Sequence, residues 1–504
     1  MAFIPLEIPP GVYRNGTDYQ GANRWRDASL VRWRNGSLRP IGGWSERADV
    51  SANVTMAPRK LHTWVDNDFN SNIAIGSASE LLYVSSGGTA TDITPTGLVT
   101  GNESAVLNSA YGGGYYGGNS NNSLYGVSQP TSGILQEADT WSLDNWGENL
   151  VACLTSDGKL YEWDLNTAND AVQIANSPID CKSVFVSEER FVFAIQAGGS
   201  PRKLAWSDKE DNTTWTPSAT NEAGDFELAT NGEIMQMVKV RGKALVVTTT
   251  DAHLATYQGP PYVYGFERVG TSCGVASRCG VISIEAGAFW MGNDGFFVFD
   301  GSIVQNLPCD VQDYVFADTN KNQITKANAV HNSEHGEIWW FYPSSGSKEC
   351  DSYVAYSYRE QHWTIGRMAR TCGADRGVFD RPIYADNTGV IYSHERINVA
   401  HGADTPFAET GPISIGNGDN VMKVNQIVGD EKTLGDVKLQ FKTRFYPNDA
   451  ERTYPSDSTY YDLTQIPTSA RFTGRQVRYR IEGTNNNSFR VGTVRINGTA
   501  GGSR

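Results

Sequence analysis

Asn293-Asp-Gly-Phe-Phe-Val-Phe299 is a turn of small polar residues running into an aromatic strand. The same unit recurs as Ser79-Glu-Leu-Leu-Tyr83, Ser156-Asp-Gly-Lys-Leu-Tyr-Glu-Trp163 and Asp386-Asn-Thr-Gly-Val-Ile-Tyr392. Glycine and aspartate close turns, whereas β-branched and aromatic side chains suit a half-buried pleated surface. With Tyr83, Tyr161, Phe297 and Tyr392 taken as equivalent, the separations are 78, 136 and 95 residues. These lie near two, three and two multiples of roughly 40–48 residues, the length of one β-propeller blade. Ala244-Leu-Val-Val-Thr248 and Glu337-Ile-Trp-Trp-Phe-Tyr342 fall where intervening blades belong. Many short meandering strands leave many sheet edges, and radial closure leaves only short, protected ones. The spacing therefore predicts an all-β fold, a β-propeller of five to seven blades over 45–397, against the alternative of an irregular multi-sheet β protein.

Outward from the propeller, residues 1–44 read as an N-terminal arm with a first hairpin. Leu30-Val-Arg-Trp-Arg34 and Ser37-Leu-Arg39 flank Asn35-Gly36, whose residues favour the positive φ angles of a type I′ turn. Near 111–126 the chain becomes Gly, Tyr and Asn, a composition that holds no regular element. Tyr111, Tyr115, Tyr116 and Tyr125 are the candidate gating rings of a flap over a channel; the plainer reading is a surface loop. A single helix is expected near 310–321, with Val311, Tyr314 and Val315 on one face. Residues 398–410 read as a linker. Over 411–504, Val437, Leu439 and Phe441 alternate with polar residues, and Gln476-Val-Arg-Tyr-Arg-Ile481 repeats the pattern. That alternation predicts a C-terminal antiparallel β-sandwich.

Composition excludes several classes. Of 504 residues, 52 are Gly and 20 Pro, and only 19% are charged, which rules out coiled coils and helical bundles. The 13 Trp, 23 Tyr and 19 Phe rule out wholesale disorder, because they offer too much buriable surface. A net charge of −14 argues against tight sequence-independent nucleic-acid binding, yet an acidic wall lets DNA slide past. Basic charge gathers at the two ends. Arg24, Arg32, Arg34, Arg475, Arg478 and Arg480 are candidate docking arginines for an acidic partner, with solvated strand faces as the alternative. The 7 cysteines, odd in number and without a CxxC, fit free buried thiols in a protein made in a reducing cytoplasm. No secretory signal and no membrane-spanning run is expected.

No motif for catalysis stands out. His331-Asn-Ser-Glu-His335 matches the HxxEH zinc pattern, which requires a helix, but Gly336 and a strand follow at once. Asp66-Asn-Asp-Phe-Asn70 has calcium-loop spacing, but Ser71 stands where such a loop needs Gly and Ser77 where it needs Glu. Trp206–Trp215 resembles a sialidase Asp-box without its central Gly, and reads as a wide turn pinned by Asp208 and Asp211. No catalytic, cofactor-binding or metal residue is therefore expected, and the protein reads as a non-enzyme.

Several ordered motifs carry a resemblance. Pro10-Gly-Val-Tyr-Arg-Asn-Gly-Thr17, Arg24-Trp25, Leu30–Arg34 and Arg39-Pro-Ile-Gly-Gly-Trp44 open the chain. Asp92-Ile-Thr-Pro95, the Gly/Tyr tract and Thr140-Trp-Ser-Leu-Asp-Asn-Trp-Gly-Glu-Asn-Leu150 follow. Thr410-Gly-Pro-Ile-Ser-Ile-Gly416, Gly474–Arg480 and Phe489-Arg-Val-Gly492 close it. In this order they resemble the tail nozzle, or tail hub, proteins of short-tailed bacteriophages. The resemblance implies a structural virion protein, a homo-oligomeric ring, usually a hexamer, below the head-to-tail adaptor. Such a ring surrounds the DNA ejection channel, lets that DNA pass through its lumen without sequence-specific binding, and supports tail fibres or spikes. The rival expectation, prompted by the abundance of aromatic residues, is a β-propeller glycosidase or a lectin-like module acting on host surface polysaccharide.

Overall fold

The computed structural model describes residues 3–51, 54–85, 90–107, 135–414, 420–430, 435–456, 459–483 and 488–502. Among these, seven four-stranded antiparallel meanders form the blades of a β-propeller. Their first strands are Lys60–Val65, Trp141–Trp146, Ser183–Val186, Ile234–Val240, Val281–Ile284, Asn328–Asn332 and Cys372–Ala374, which define blades 1 to 7 in chain order. Each first strand packs against the next, and Cys372–Ala374 packs back against Lys60–Val65, so the ring closes.

Closure follows from where the apolar faces go. Every gap between neighbouring blades holds its own buried cluster. Tyr83 of blade 1 meets Trp163 of blade 2 with ring centroids 4.4 Å apart. In the gap between blades 5 and 6, Phe296 lies 5.0 Å from Trp340. Buried indole N–H groups find carbonyls on neighbouring segments: Trp141 donates to Ser77 O at 2.5 Å and Trp340 to Gly280 O at 3.0 Å. Gly76 lies so close to Trp141 that a Cβ there would stand 2.4 Å from the indole, so only glycine fits.

Tyr83, Tyr161, Phe297 and Tyr392 all lie on third strands: Leu81–Ser85, Leu160–Trp163, Phe296–Phe299 and Ile391–Arg396. The 136-residue and 95-residue separations span three blades and two, as the spacing predicts. The 78-residue separation spans one blade, not two, because the long connection between blades 1 and 2 inflates it.

The last blade has only three strands from its own segment. Gly43–Glu46 supplies the fourth, antiparallel to Ile391–Arg396, so the chain before blade 1 closes the ring. Residues 1–44 are accordingly not a free arm, and the propeller begins at Gly43. Phe3–Leu6 is an edge strand beside Val494–Ala500, and Trp25–Ser29 pairs with Phe407–Thr410. These two N-terminal strands complete a two-sheet sandwich whose other strands come from residues 407–500. The propeller is thus inserted into the sandwich. Val424, Ile427, Leu439, Phe441, Phe472 and Ile496 fill the sandwich, and this core is continuous with the gap between blades 5 and 6.

Local readings hold where turn chemistry dictates them. Val31–Arg34 and Ser37–Pro40 pair around Asn35 and Gly36, whose φ angles are 52° and 72°. The expected helix is present as Gln312–Asp318, with Val311 and Val315 buried, but it does not stand alone: Ala48–Ser51 forms a second short helix and Lys321–Lys326 a 3-10 helix. Asp208 and Asp211 pin their turn: Asp208 accepts from the Glu222 amide at 2.8 Å and Asp211 from the Thr213 amide at 2.8 Å.

Candidate functional site

The blade-to-blade connections and the turns between second and third strands gather on one face, where the inner strands begin. The inner wall is polar. Ser142 Oγ donates to Val184 O at 2.7 Å, Asp144 accepts from the Val186 amide at 2.8 Å, and Ser183 Oγ donates to Gln236 Oε1 at 2.8 Å. These bonds cross from one inner strand to the next and fasten the ring around its axis.

At the axial mouth on this face lies a cavity of about 510 Å³, lined by Glu137, Asp139, Lys182, Glu233 and Arg278 among others. Arg278 Nη1 donates to Ile234 O at 3.2 Å and Met235 O at 2.7 Å. Burial lowers the Arg278 pKa against the opposing pull of Glu233 and Glu137. Burial raises the Glu137 carboxyl, with Arg278 opposing. Lys182 donates to Thr155 O at 2.7 Å. The mouth is therefore lined by both signs of charge, and Arg278 and Lys182 are tied to backbone carbonyls.

A second charged group braces the same mouth. Arg59 forms a two-pronged pair with Glu349 at 2.6 and 2.9 Å, and Lys326 Nζ meets the same carboxylate at 2.6 Å. The two cations hold Glu349 below the usual carboxylate range although burial pulls the other way. Arg59 also donates to Glu103 O at 2.6 Å, Lys326 to Ser104 Oγ at 3.0 Å, and Gln323 exchanges two hydrogen bonds with Ala105. Val106–Leu107 then pairs with Leu135–Gln136. The long connection between blades 1 and 2 is thus rooted at the axial mouth. Tyr111, Tyr115, Tyr116 and Tyr125 lie outside the described residues.

The docking arginines are not one surface. Arg32 is buried between two carboxylates, 2.8 Å from Glu337 and 2.5 Å from Glu395. Asn332 and the Gly42 amide also donate to Glu395, each at 2.9 Å. Arg32 is a clamp between the N-terminal hairpin and blades 6 and 7, and it cannot reach a partner. Arg24 pairs with Asp310 at 3.1 Å. Arg478 pairs with Asp18, and Arg480 stacks on Phe407 at 3.5 Å while bonding Glu482 at 3.2 Å. Arg475 lies over the Tyr446 ring at 5.1 Å. Arg34 alone of the six is exposed, at the end of the strand Val31–Arg34, without an ion pair among the described residues. The sequence shows the arginines but not their partners, because Glu337 and Glu395 are over 300 residues away and belong to no motif.

Other reactive groups are engaged in packing. His331 pairs with Asp375 at 3.1 Å and His335 with Glu395 at 3.4 Å, so the two imidazoles serve different carboxylates. Burial pushes the His394 pKa well down, assisted by the Arg370 charge, and this keeps the ring neutral. All seven cysteines are free and buried, and burial pushes Cys181 up to about 12 and Cys273 to about 11. Among the described residues no group of three His, Cys, Asp or Glu side chains is placed to hold a metal. No helix there is long and apolar enough to cross a membrane.

No protein-family model matches the chain, and no curated protein sequence does. Among solved structures it is similar to virginiamycin B lyase from Staphylococcus aureus at 6% identity and TM-score 0.41, covering 70% of this chain and 98% of that one. It is similar to YCF48 bound to D1 peptide at 9% identity and TM-score 0.39, covering 73% and 100%. The AfRom2 CNH domain is matched at 10% identity and TM-score 0.33, covering 53% and 89%. Likenesses this distant say nothing of activity. The propeller assignment rests on the chain's own strand pairing and ring closure.

Proposed function

We propose that this protein is a structural subunit of a short-tailed phage virion, forming a tail nozzle ring below the head-to-tail adaptor. The reading starts from the order of motifs along the chain. What supports it in the geometry is the insertion of the propeller into a sandwich built from both ends of the chain, with Arg32 clamping the junction. A subunit whose work is geometric needs such a body, since head-to-tail contacts close into a ring only if each wedge keeps its angle. The acidic balance of −14 suits a channel past which DNA slides. In this reading the partners are further copies of this chain, the adaptor, and fibres or spikes.

The test is assembly. Purified protein added to adaptor-capped portal particles should extend them by one ring, and virions should contain it in stoichiometric amount. Virions that lack the protein, or portal particles that ignore it, contradict the reading.

A further inference from the structure

On the face that carries the axial mouth, three more cavities run outward across blades 3 to 5. The first, about 490 Å³, shares Glu233 with the axial cavity. It shares Thr230, Asn231 and Thr249 with the next, of about 690 Å³. That one shares Ser272, Asp294 and Phe297 with the last, of about 370 Å³. Shared walls make them one trough leading from the axis towards the rim.

Its lining is unlike the mouth's. Along it Asn231, Thr271, Ser272, Asn293 and Asn306 present amides and hydroxyls with no side-chain hydrogen bond among the described residues, whereas Gln305 and Gln312 are held, by Asp300 at 3.1 Å and by the Asp294 carbonyl at 2.7 Å. The threonines of one wall are also engaged: the Thr230 hydroxyl donates to buried Asp251 at 2.8 Å, and the Thr249 hydroxyl accepts from the Glu233 amide at 3.1 Å. Half-buried Phe297, stacked on Trp290 at 5.9 Å, is a rigid apolar surface in the trough. Arg268 and Lys321 line the widest part, and neither side chain has a hydrogen bond or ion pair among the described residues.

We propose that this trough binds a carboxylated polysaccharide. A sugar chain is linear, as the trough is. It offers hydroxyls to amide and threonine groups, an apolar ring face to an aromatic side chain, and, in an acidic sugar, a carboxylate to Arg268 and Lys321. Nucleic acid fits less well, since successive bases ask for several aromatic platforms and Phe297 is the one aromatic side chain among the described residues that line the trough. An extended peptide needs an open strand edge or apolar side-chain pockets, and the trough lies across turns and is polar. The proposal stands apart from the nozzle reading, because a monomer would carry the same trough.

Calorimetric titration of the full-length protein tests it, with polygalacturonate, hyaluronate and polysialate as probes. Neutral dextran, polyglutamate and oligo-dT are the comparisons. At least one acidic polysaccharide should bind, and bind more tightly than all three comparisons. The double variant R268Q/K321Q should weaken that binding by about tenfold or more, the loss expected for hydrogen bonds to a charged group. N231D, which puts a like charge beside the carboxylate, should weaken it too. K209Q/K243Q removes equal charge from the opposite face, at a turn and at the start of the strand Lys243–Thr248, and should leave binding unchanged. Failure of all three acidic polysaccharides to bind, equal binding of polyglutamate or oligo-dT, or binding indifferent to R268Q/K321Q and N231D would each overturn the proposal.

Discussion

Two sides of the propeller are built differently. Around blades 5 and 6 the apolar core runs on into the sandwich, and Arg32 is buried between Glu337 of blade 6 and Glu395 of blade 7. Around blades 3 and 4 nothing among the described residues covers the rim. The outer strand Gly224–Glu227 is largely exposed, and Phe226, 42% exposed, stacks on Phe266 at 4.7 Å in the open. The contrast teaches where rigidity comes from. A propeller blade needs only its two neighbours, but an inserted propeller also needs its junction fixed in angle. A buried two-carboxylate arginine does this better than apolar contact alone, because it tolerates only one geometry.

The difference is measurable. Arg32→Ala leaves two carboxylates buried and facing each other, and should cost about 3–5 kcal/mol of unfolding free energy in urea titrations. Replacing all three groups together, as R32M/E337Q/E395Q, should recover much of that loss, since the buried pair itself adds little over well-packed neutral groups. A loss no larger than that of an exposed-surface change would break the contrast.

Acid should act on the clamp side. Burial alone would raise the Glu395 carboxyl, but Arg32 outweighs it and holds that carboxyl well below the usual range. Its contribution is therefore present at neutral pH and is lost as pH falls below about 4.3, the unfolded value, towards the folded one. His394 is held neutral, so its contribution is lost earlier, as pH falls below about 6.5, where the unfolded chain takes up a proton. Stability measured against pH should decline from about 6.5 and more steeply below about 4.3. The gap between wild type and R32A should narrow over the lower step, because Glu395 without Arg32 gains from protonation. A constant gap would place the clamp's stability elsewhere.

On the open side the effects should be smaller. Phe226→Ala removes one exposed stacking partner and should cost about 0.5–1.5 kcal/mol. Smaller again, Gly36→Ala at a φ of 72° should cost about 1 kcal/mol or less by straining the hairpin turn. Both are read from the same urea midpoints. A Phe226→Ala loss that matches R32A would erase the distinction between the sides.

What was legible in the sequence follows the same division. Tyr83, Tyr161, Phe297 and Tyr392 are found in register because each sits after a turn whose chemistry is local. The blade count stayed open because integer multiples of a variable repeat cannot register one long insertion. The role of the first forty residues was not legible. Phe3–Leu6 and Trp25–Ser29 find partners more than 370 residues away, and no local pattern encodes that pairing. Arginines at both ends signalled attachment, yet to the chain's own carboxylates, Asp18, Glu337 and Glu395. The trough went unread because isolated Thr, Ser and Asn residues look like ordinary turn composition until the blades bring them side by side.

The central claim is that this propeller-and-sandwich body is a ring subunit, and the most direct measurement is the mass of the purified protein in solution with negative-stain images of the same sample. The account predicts closed rings with an axial hole, their mass an integer multiple of 55.1 kDa. Single 55.1 kDa particles that persist at high concentration and in the presence of adaptor-capped portals would contradict it.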